Sequence, residues 1–249
     1  MSFSDKVVLI TGGSSGIGAV TAIEFTKEKA NVAIVGRNEA KLNTVVEKCK
    51  QHGKAPFVIK ADVSNDEDAN RIINETVNKY GKLDVLVNNA GFTKFGSILD
   101  GTVVEAYDTI MDTNVRAVIK LTTLAAPHLI KTKGNIVNVS SIAGFAVKVV
   151  RQNAYSLSKA AVNHFTKGAA LELATSGVRV NAVSPGPVRT DILENAGSDI
   201  TWDSFKNSVA LNRISDPEEV ANVILYLSSD KAKGVTGSNY LVDNGRLLL

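Results

Sequence analysis

Cysteine is all but missing from this chain. Among 249 residues there is one, Cys49, so no disulfide can close within the chain and no cysteine-based zinc site can assemble. Histidine is nearly as scarce: His52, His128 and His164 lie far apart, with neither HExxH nor His-x-His spacing, and no metal is expected. Proline is limited to five residues, and no Pro/Gly/Ser-rich linker divides the chain, so one domain over 1–249 is expected. No apolar run approaches the ~20 residues that span a bilayer. The best candidate, "VRAVIKLTTLAAPHLI", is interrupted by Arg116, Lys120 and His128. A block of like charge is also absent. Lys and Arg number 28 against 25 Asp and Glu, a formal net charge of +3 spread along the chain, which gives nucleic-acid binding little support. "MSFSDK" runs directly into a strand pattern, so no signal peptide is expected. A reduced, cytoplasmic, soluble protein is expected, with Cys49 in "VVEKCK" a buried thiol at a helix end.

What is present is rhythm. Short β-branched runs, "KVVLIT" (6–11), "NVAIVG" (31–36), "PFVIK" (56–60), "LDVLV" (83–87), "NIVNVS" (135–140), "VRVNAV" (178–183) and "NYLV" (239–242), alternate with helical patterns at 16–29, 38–52, 65–80, 102–131 (two helices), 154–175 and 216–228. Most runs are apolar throughout, as strands covered on both faces are. The alternation predicts an α/β fold, a doubly wound seven-stranded parallel sheet with helices on both faces. "SDPEEV" supplies a helix start, with Asp216 as cap and Pro217 in the first turn. Pro127, late in a helical pattern, predicts a kink or a helix end. The least regular stretch, 185–214, has the character of a binding loop.

Between the first strand and the first helix stands "TGGSSGIG" (11–18). A strand, a glycine turn and a helix N-terminus form a receptor for phosphate, because the first helical N–H groups are unpaired and lie at the positive end of the dipole. Glycine at 12, 16 and 18 would let a pyrophosphate approach those donors. The second strand ends "AIVGRN". An acid there would accept from a ribose 2′-hydroxyl and repel a 2′-phosphate. Gly36 and Arg37 occupy that place instead, which favours NADP(H) over NAD(H).

These residues resemble the short-chain dehydrogenase/reductase family over essentially the whole chain. The motifs occur in order: "TGGSSGIG", "ADV" (61–63), "NNAG" (88–91), "DTNV" (112–115), "VSSIAG" (139–144), "YSLSK" (155–159) and "SPGPVRT" (184–190). The likeness is strongest to the NADP-preferring group that includes 3-oxoacyl-carrier-protein reductases and many carbonyl and steroid reductases. It implies that Gly12, Ser14, Gly16, Ile17 and Gly18 hold the phosphates and Arg37 the 2′-phosphate. Asp62 would hydrogen-bond the adenine with Val63 beside it. Asn89, Ala90 and Gly91 would line the adenosine ribose and nicotinamide side, and Val188 and Thr190 would fix the carboxamide. Asn114, Ser141, Tyr155 and Lys159 would carry catalysis. Ser141 is preferred to Ser140 because the family pattern has a glycine three residues after its serine, as Gly144 is here. Members form tetramers or, less often, dimers.

The quartet suits carbonyl reduction, which needs hydride on carbon and a proton on oxygen in one geometry. Tyr155 and Lys159 stand one helical turn apart. The ammonium, helped by the positive ring of oxidised cofactor, is expected to lower the tyrosine pKa from its usual ~10, and Lys159 would also bond the nicotinamide ribose. Ser141 would polarise the substrate oxygen, and Asn114 would hold a water linking Lys159 to solvent.

Two departures from the family pattern stand out. The segment "IAGFAVKVVRQNA" is one residue longer than in many relatives, and its Lys148 and Arg151 raise the idea of an anionic substrate. Asn244 stands where a glycine is usual, in a turn that asparagine tolerates. Segment 191–212, with Ile192, Leu193, Trp202, Phe205 and Val209, is expected to cover substrate, and "RLLL" (246–249) to pack on a neighbouring subunit. Three readings remain open: an NADPH-dependent carbonyl reductase, an NAD-dependent alcohol or hydroxysteroid dehydrogenase, and a non-catalytic dinucleotide-binding protein.

Overall fold

The seven apolar runs form one parallel sheet in the computed structural model, which describes residues 2–197 and 200–249. Its strands are β1 (Val7–Thr11), β2 (Asn31–Gly36), β3 (Phe57–Lys60), β4 (Val85–Asn88), β5 (Asn135–Val139), β6 (Arg179–Pro185) and β7 (Asn239–Val242), ordered β3-β2-β1-β4-β5-β6-β7. Each lies within two residues of its predicted start and end. The helices between them are α1 (Gly16–Lys27), α2 (Glu39–Lys50), α3 (Asp66–Tyr80), α4 (Val103–Met111), α5 (Ala117–Thr132), α6 (Asn153–Leu173), α7 (Ile192–Asn195) and α8 (Pro217–Ser228).

Strand residues project alternately to two cores. Val8, Ile10, Val32 and Ile34 enter one, with Phe25 of α1, Leu42 of α2 and Ile224 of α8. Val7, Leu9, Ala33 and Val35 enter the other, with Ile72 of α3 and Leu121 and Leu129 of α5. Fully burying each large side chain contributes roughly 1.5–3 kcal/mol, so both faces need helices. Cys49 is buried in the first core as expected.

Local signals fix the helix ends. The Asn65 side chain accepts from the N–H groups of Glu67 and Asp68 to open α3, and Gly81 ends it at φ +78°. At α8, Pro217 takes the first turn, and the Glu219 carboxylate accepts from the Asp216 N–H at 3.3 Å.

The structure corrects one boundary. α5 does not end at Pro127 but continues to Thr132. Leu121, Ala125 and Leu129 are all buried along one face, and that packing outweighs the hydrogen bond proline cannot make. The expected break within 102–131 lies earlier, where a π-turn, Asp112–Arg116, joins α4 to α5. Such turns collect at functional sites, and this one carries Asn114.

Candidate active site

The strand order reverses between β1 and β4, so the chain departs from their carboxyl ends in opposite directions and leaves a crevice. A cleft of about 700 Å³ opens there. The turn after β1 forms its floor, with Gly12 at φ +64° and Gly16 at φ +53°, both in the left-handed region that side chains disfavour. Gly12, Ser14, Gly16 and Ile17 all face the cleft.

Gly18 does not, contrary to its expected role among the phosphate-binding residues. A Cβ there would lie 2.3 Å from the Gly12 carbonyl oxygen and 2.4 Å from Asn89 Nδ2. Its smallness is demanded by the protein's own packing rather than by a ligand. Asn89 explains the crowding: its side-chain amide donates to the carbonyls of Thr11 and Gly12 at 2.9 and 3.1 Å. The Thr11 hydroxyl in turn accepts from the N–H groups of Asn89 and Ala90, each at 3.0 Å. Asn89 lines the cleft, and its side chain stitches the β1 and β4 turns together.

At one end of the cleft Arg37 follows β2, largely exposed, with Nη1 3.4 Å from Asp62 Oδ2. Burial would raise the Asp62 carboxyl, but the Ser64 hydroxyl and N–H and the Arg37 charge outweigh it and hold it below the usual carboxylate range. Val63, Ala90 and Gly91 continue the wall. These residues fit a dinucleotide. Ser15 caps α1 without a side-chain hydrogen bond to its first turn, leaving N–H donors facing a groove that ends on an arginine.

Ser141, Tyr155 and Lys159 share the opposite end of the cleft. β5 delivers the serine, and α6 carries tyrosine and lysine one turn apart. Ser140 and Ser141 part company: Ser140 is buried and donates to the Lys159 carbonyl oxygen at 3.1 Å, whereas Ser141 acts on the Tyr155 phenol, favouring its charged form. Gly144 is glycine because a Cβ would meet Asn163 Nδ2 at 2.5 Å and the Lys159 backbone at 2.8 Å.

Lys159 is 5% exposed. Its Nζ donates to the Val139 carbonyl at 2.9 Å and lies 5.6 Å from the centre of the Tyr155 ring. Burial lowers its pKa to about 8. Burial also raises the Tyr155 phenol, and the Ser141 hydrogen bond only partly offsets this. In the protein alone, without the oxidised cofactor that the expectation also invoked, burial therefore moves the tyrosine up.

Asn114 is buried behind the cleft wall. Its amide donates to the Phe92 carbonyl at 2.9 Å and Ser158 Oγ at 3.1 Å, and its oxygen accepts from the Phe92 N–H at 3.1 Å. Those bonds occupy its side chain. A Cβ on Gly91 would come within 3.1 Å of Asn114 Oδ1 and 3.5 Å of Lys159 Nζ, so the "NNAG" turn lies directly against both.

The remaining wall comes from the irregular stretch after β6. Val188 is buried against the cleft. The Thr190 methyl packs on the glycine turn, 2.9 Å from where a Gly16 Cβ would fall, and its carbonyl accepts from Trp202 Nε1 at 3.2 Å. Ile192, Leu193, Trp202 and Phe205 face the cavity; Val209 is buried elsewhere. Ser198 and Asp199, within the segment expected as a cover, lie outside the described residues.

Lys148 faces the cavity, but Arg151 turns away to pair with Asp100 at 2.9 Å. Asn244 adopts φ +51° as expected. It also donates to the Arg213 carbonyl and to Ser215 Oγ, both at 2.9 Å. Two charged cleft residues escaped the sequence reading. Arg246, read only as the start of an apolar tail, faces the cavity, and Lys41 of α2 pairs with Asp191. Their sequence neighbourhoods hold no signal for either placement; only the tertiary fold brings them in.

The profile of the family described as Enoyl-(Acyl carrier protein) reductase matches residues 12–246. The 3-oxoacyl-[acyl-carrier-protein] reductase FabG of Staphylococcus epidermidis is 37% identical over 243 residues, 97% of this chain and 98% of that protein. The meso-2,3-butanediol dehydrogenase of Serratia marcescens is 36% identical, covering 98% of this chain and 96% of that one. A short-chain dehydrogenase from Burkholderia cenocepacia, solved in complex with NADP, superposes with a TM-score of 0.92 at 30% identity, over 99% of this chain and 100% of that one. With the fold, the cleft and these likenesses together, the chain belongs to the short-chain dehydrogenase/reductase family of oxidoreductases.

Proposed function

We propose that this chain reduces a carbonyl compound with NADPH, Tyr155 acting as the general acid. The observation that carries the reading is the joint presence, along one cleft, of an arginine-ended dinucleotide groove and the Ser141–Tyr155–Lys159 group. NADPH supplies the hydride when bound. Arg37 would pair with its 2′-phosphate, exchanging its 3.4 Å contact with Asp62 for a stronger phosphate partner. The NADP named in the Burkholderia structure supports this preference. The carbonyl oxygen would lie between the Ser141 hydroxyl, which donates to it as charge develops, and the Tyr155 phenol, which gives up its proton as the C–H bond forms.

A protonated Tyr155 phenol at neutral pH is in the form that an acid needs, and alcohol oxidation would need the phenolate instead. Lys159, with its pKa near 8, can exchange protons with solvent close to neutral pH and so restore the spent tyrosine. Asn114 acts as a positioning residue, pinning Phe92 and Ser158 on either side of the pair.

Self-association as a homotetramer or homodimer fits the outer surface. Leu157 and Leu171 of α6, Val104 of α4 and Leu248 near the C-terminus are all strongly exposed, and such apolar groups favour a partner surface.

The test is Tyr155→Phe. NADPH consumption with any ketone or aldehyde that the parent reduces should fall by roughly 10²–10⁴-fold, while NADPH still binds. A variant as fast as the parent rules the mechanism out.

A further inference from the structure

Seven charged side chains face the cleft, and their charges do not balance. The anions are Asp62 and Asp191, each already paired with a cation from the dinucleotide end: Arg37 at 3.4 Å and Lys41 at 2.7 Å. Lys159 belongs to the chemistry. That leaves Lys148 and Arg246. Among the described residues neither has a carboxylate partner within ion-pairing distance.

The two come from different elements. Lys148 lies on the loop after β5, a few residues past Ser141. Arg246 lies in the short turn after β7, Arg246–Leu248, where its Nη1 donates to the Ser208 carbonyl at 2.6 Å. That bond holds the guanidinium against the segment carrying Trp202 and Phe205, leaving its other N–H donors available. The Asp243 carboxylate, three residues earlier, is occupied by the N–H groups of Gly245 and Leu247 at 3.0 and 2.9 Å. Arg151, which sequence alone suggested as Lys148's companion, is neutralised by Asp100.

We infer that the carbonyl substrate carries a compact anionic group, a carboxylate or phosphate, at the end remote from the reacting carbon, bound between Lys148 and Arg246. The inference rests on the reductase reading above and narrows it to a substrate class. A guanidinium held by one backbone carbonyl presents its remaining donors in the fixed fork that matches two oxygens of a carboxylate or phosphate. The flexible Lys148 ammonium, lining the same cavity, can follow anions of different size. Neutral ketones would leave the part-buried Arg246 without counter-charge, whereas the exposed Lys148 would add long-range attraction for an anion. The apolar side chains of Leu193, Trp202 and Phe205 would then cover the stretch between carbonyl and anion.

The experiment compares matched pairs with NADPH at low salt: 4-oxopentanoate against its methyl ester, 5-oxohexanoate against its methyl ester, and dihydroxyacetone phosphate against dihydroxyacetone. The charged member of at least one pair should show kcat/KM higher by about tenfold or more, and added salt should narrow the gap. Whether a carboxylate or the phosphate gives the larger ratio identifies the anion. Arg246→Gln and Lys148→Gln should each shrink the ratio mainly by raising KM for the charged member. Equal rates for charged and neutral members overturn this inference while leaving carbonyl reduction intact.

Should no carbonyl consume NADPH, the reductase reading itself fails, and binding decides the anion site. Trp202 is the sole tryptophan and faces the cavity, so its fluorescence reports occupancy. In the NADP⁺-loaded protein, 4-oxopentanoate, 5-oxohexanoate or dihydroxyacetone phosphate should change that emission saturably, and Arg246→Gln should abolish the change. No response from any of the three disposes of the site.

Discussion

Lys41 Nζ and Asp191 Oδ2 lie 2.7 Å apart, joining the first turn of α2 to the start of the stretch that crosses the cleft. The two residues are 150 positions apart in sequence, and both face the dinucleotide groove. The pair raises the Lys41 pKa, chiefly through its hydrogen bond to Asp191. Both side chains remain substantially hydrated, at 48% and 34% exposure, so the pair adds little to stability, ~0–1 kcal/mol at most. Its effect should be on the ligand. Lys41→Met removes a cation from the groove and frees the segment after Thr190. Calorimetry should show NADPH binding weakened by about tenfold or less, with Tm within about 4 °C of the parent. A large fall in Tm with unchanged binding would reverse this assignment.

Lys159 ties stability to pH in an unusual direction. Its folded pKa near 8 is below the unfolded ~10.4. Between those values the unfolded chain binds more protons than the folded one, so this residue's contribution to stability rises with pH across roughly 8 to 10.4. Below pH 8 the buried ammonium carries its full desolvation cost. Lys159→Met should therefore raise Tm at pH 7, by a few degrees at most, with the gain shrinking toward pH 10. Losing the hydrogen bond to the Val139 carbonyl limits the gain to less than the pKa difference alone implies. The same substitution should abolish turnover. In the parent, the rate of reduction should decline as pH climbs through about 8 and the ammonium is lost. Denaturation scans at pH 7 and 10 check the first claim, and initial rates across that range the second.

Gly18 offers a test of what the glycine turn is for. A methyl group at this position would lie 2.3 Å from the Gly12 carbonyl oxygen, so the turn must shift. Gly18→Ala should lower Tm even with no dinucleotide present, by the several degrees that one to three kcal/mol of overpacking implies for a domain of this size, about 2–4 °C for each. A variant whose apo Tm matches the parent and which loses only NADPH affinity would return Gly18 to the ligand.

The contrast between Gly18 and Gly12 also marks how far the sequence could be read. The inner strands were legible because parallel strands buried on both faces are apolar throughout, and the less buried edge strands β3 and β7 from their place in the alternation with helices. The crevice followed from the reversal of strand order, and its chemistry from motifs whose spacing encodes a single helical turn. Pro127 does not end its helix, because propensity is local, whereas the buried stripe of Leu121, Ala125 and Leu129 is set by the sheet beneath it. Asn114 was located, but not the commitment of its amide to Phe92 and Ser158. The direction of the Tyr155 shift was hidden for a similar reason: a spacing of four puts lysine beside tyrosine but says nothing of how far the fold buries the phenol. Arg246 and Asp191 reach the cleft only through long-range folding, which no window of sequence contains.

Ser140 and Ser141 are adjacent, carry the same hydroxyl, and should respond oppositely to the same substitution. Successive residues of an extended strand point to opposite sides. Ser140 points inward, 3% exposed, and its hydroxyl ties the end of β5 to the Lys159 carbonyl on α6. Ser140→Ala removes one buried hydrogen bond and leaves that carbonyl without the hydroxyl donor, a cost of ~1–3 kcal/mol that should appear in denaturant midpoint. Its rate of carbonyl reduction should change little, because the Tyr155 side chain keeps its Ser141 partner. Ser141→Ala should do the reverse. Its side chain already accepts from the Ala143 N–H at 3.1 Å in partly exposed surroundings, so folding loses little, but the developing oxyanion loses a donor. Removing one such donor costs about 10²–10³ in kcat. Measuring midpoint and kcat on both variants separates the two roles. If Ser140→Ala proves the inactive one and Ser141→Ala the unstable one, the serine that points into the cleft is not the one that touches substrate.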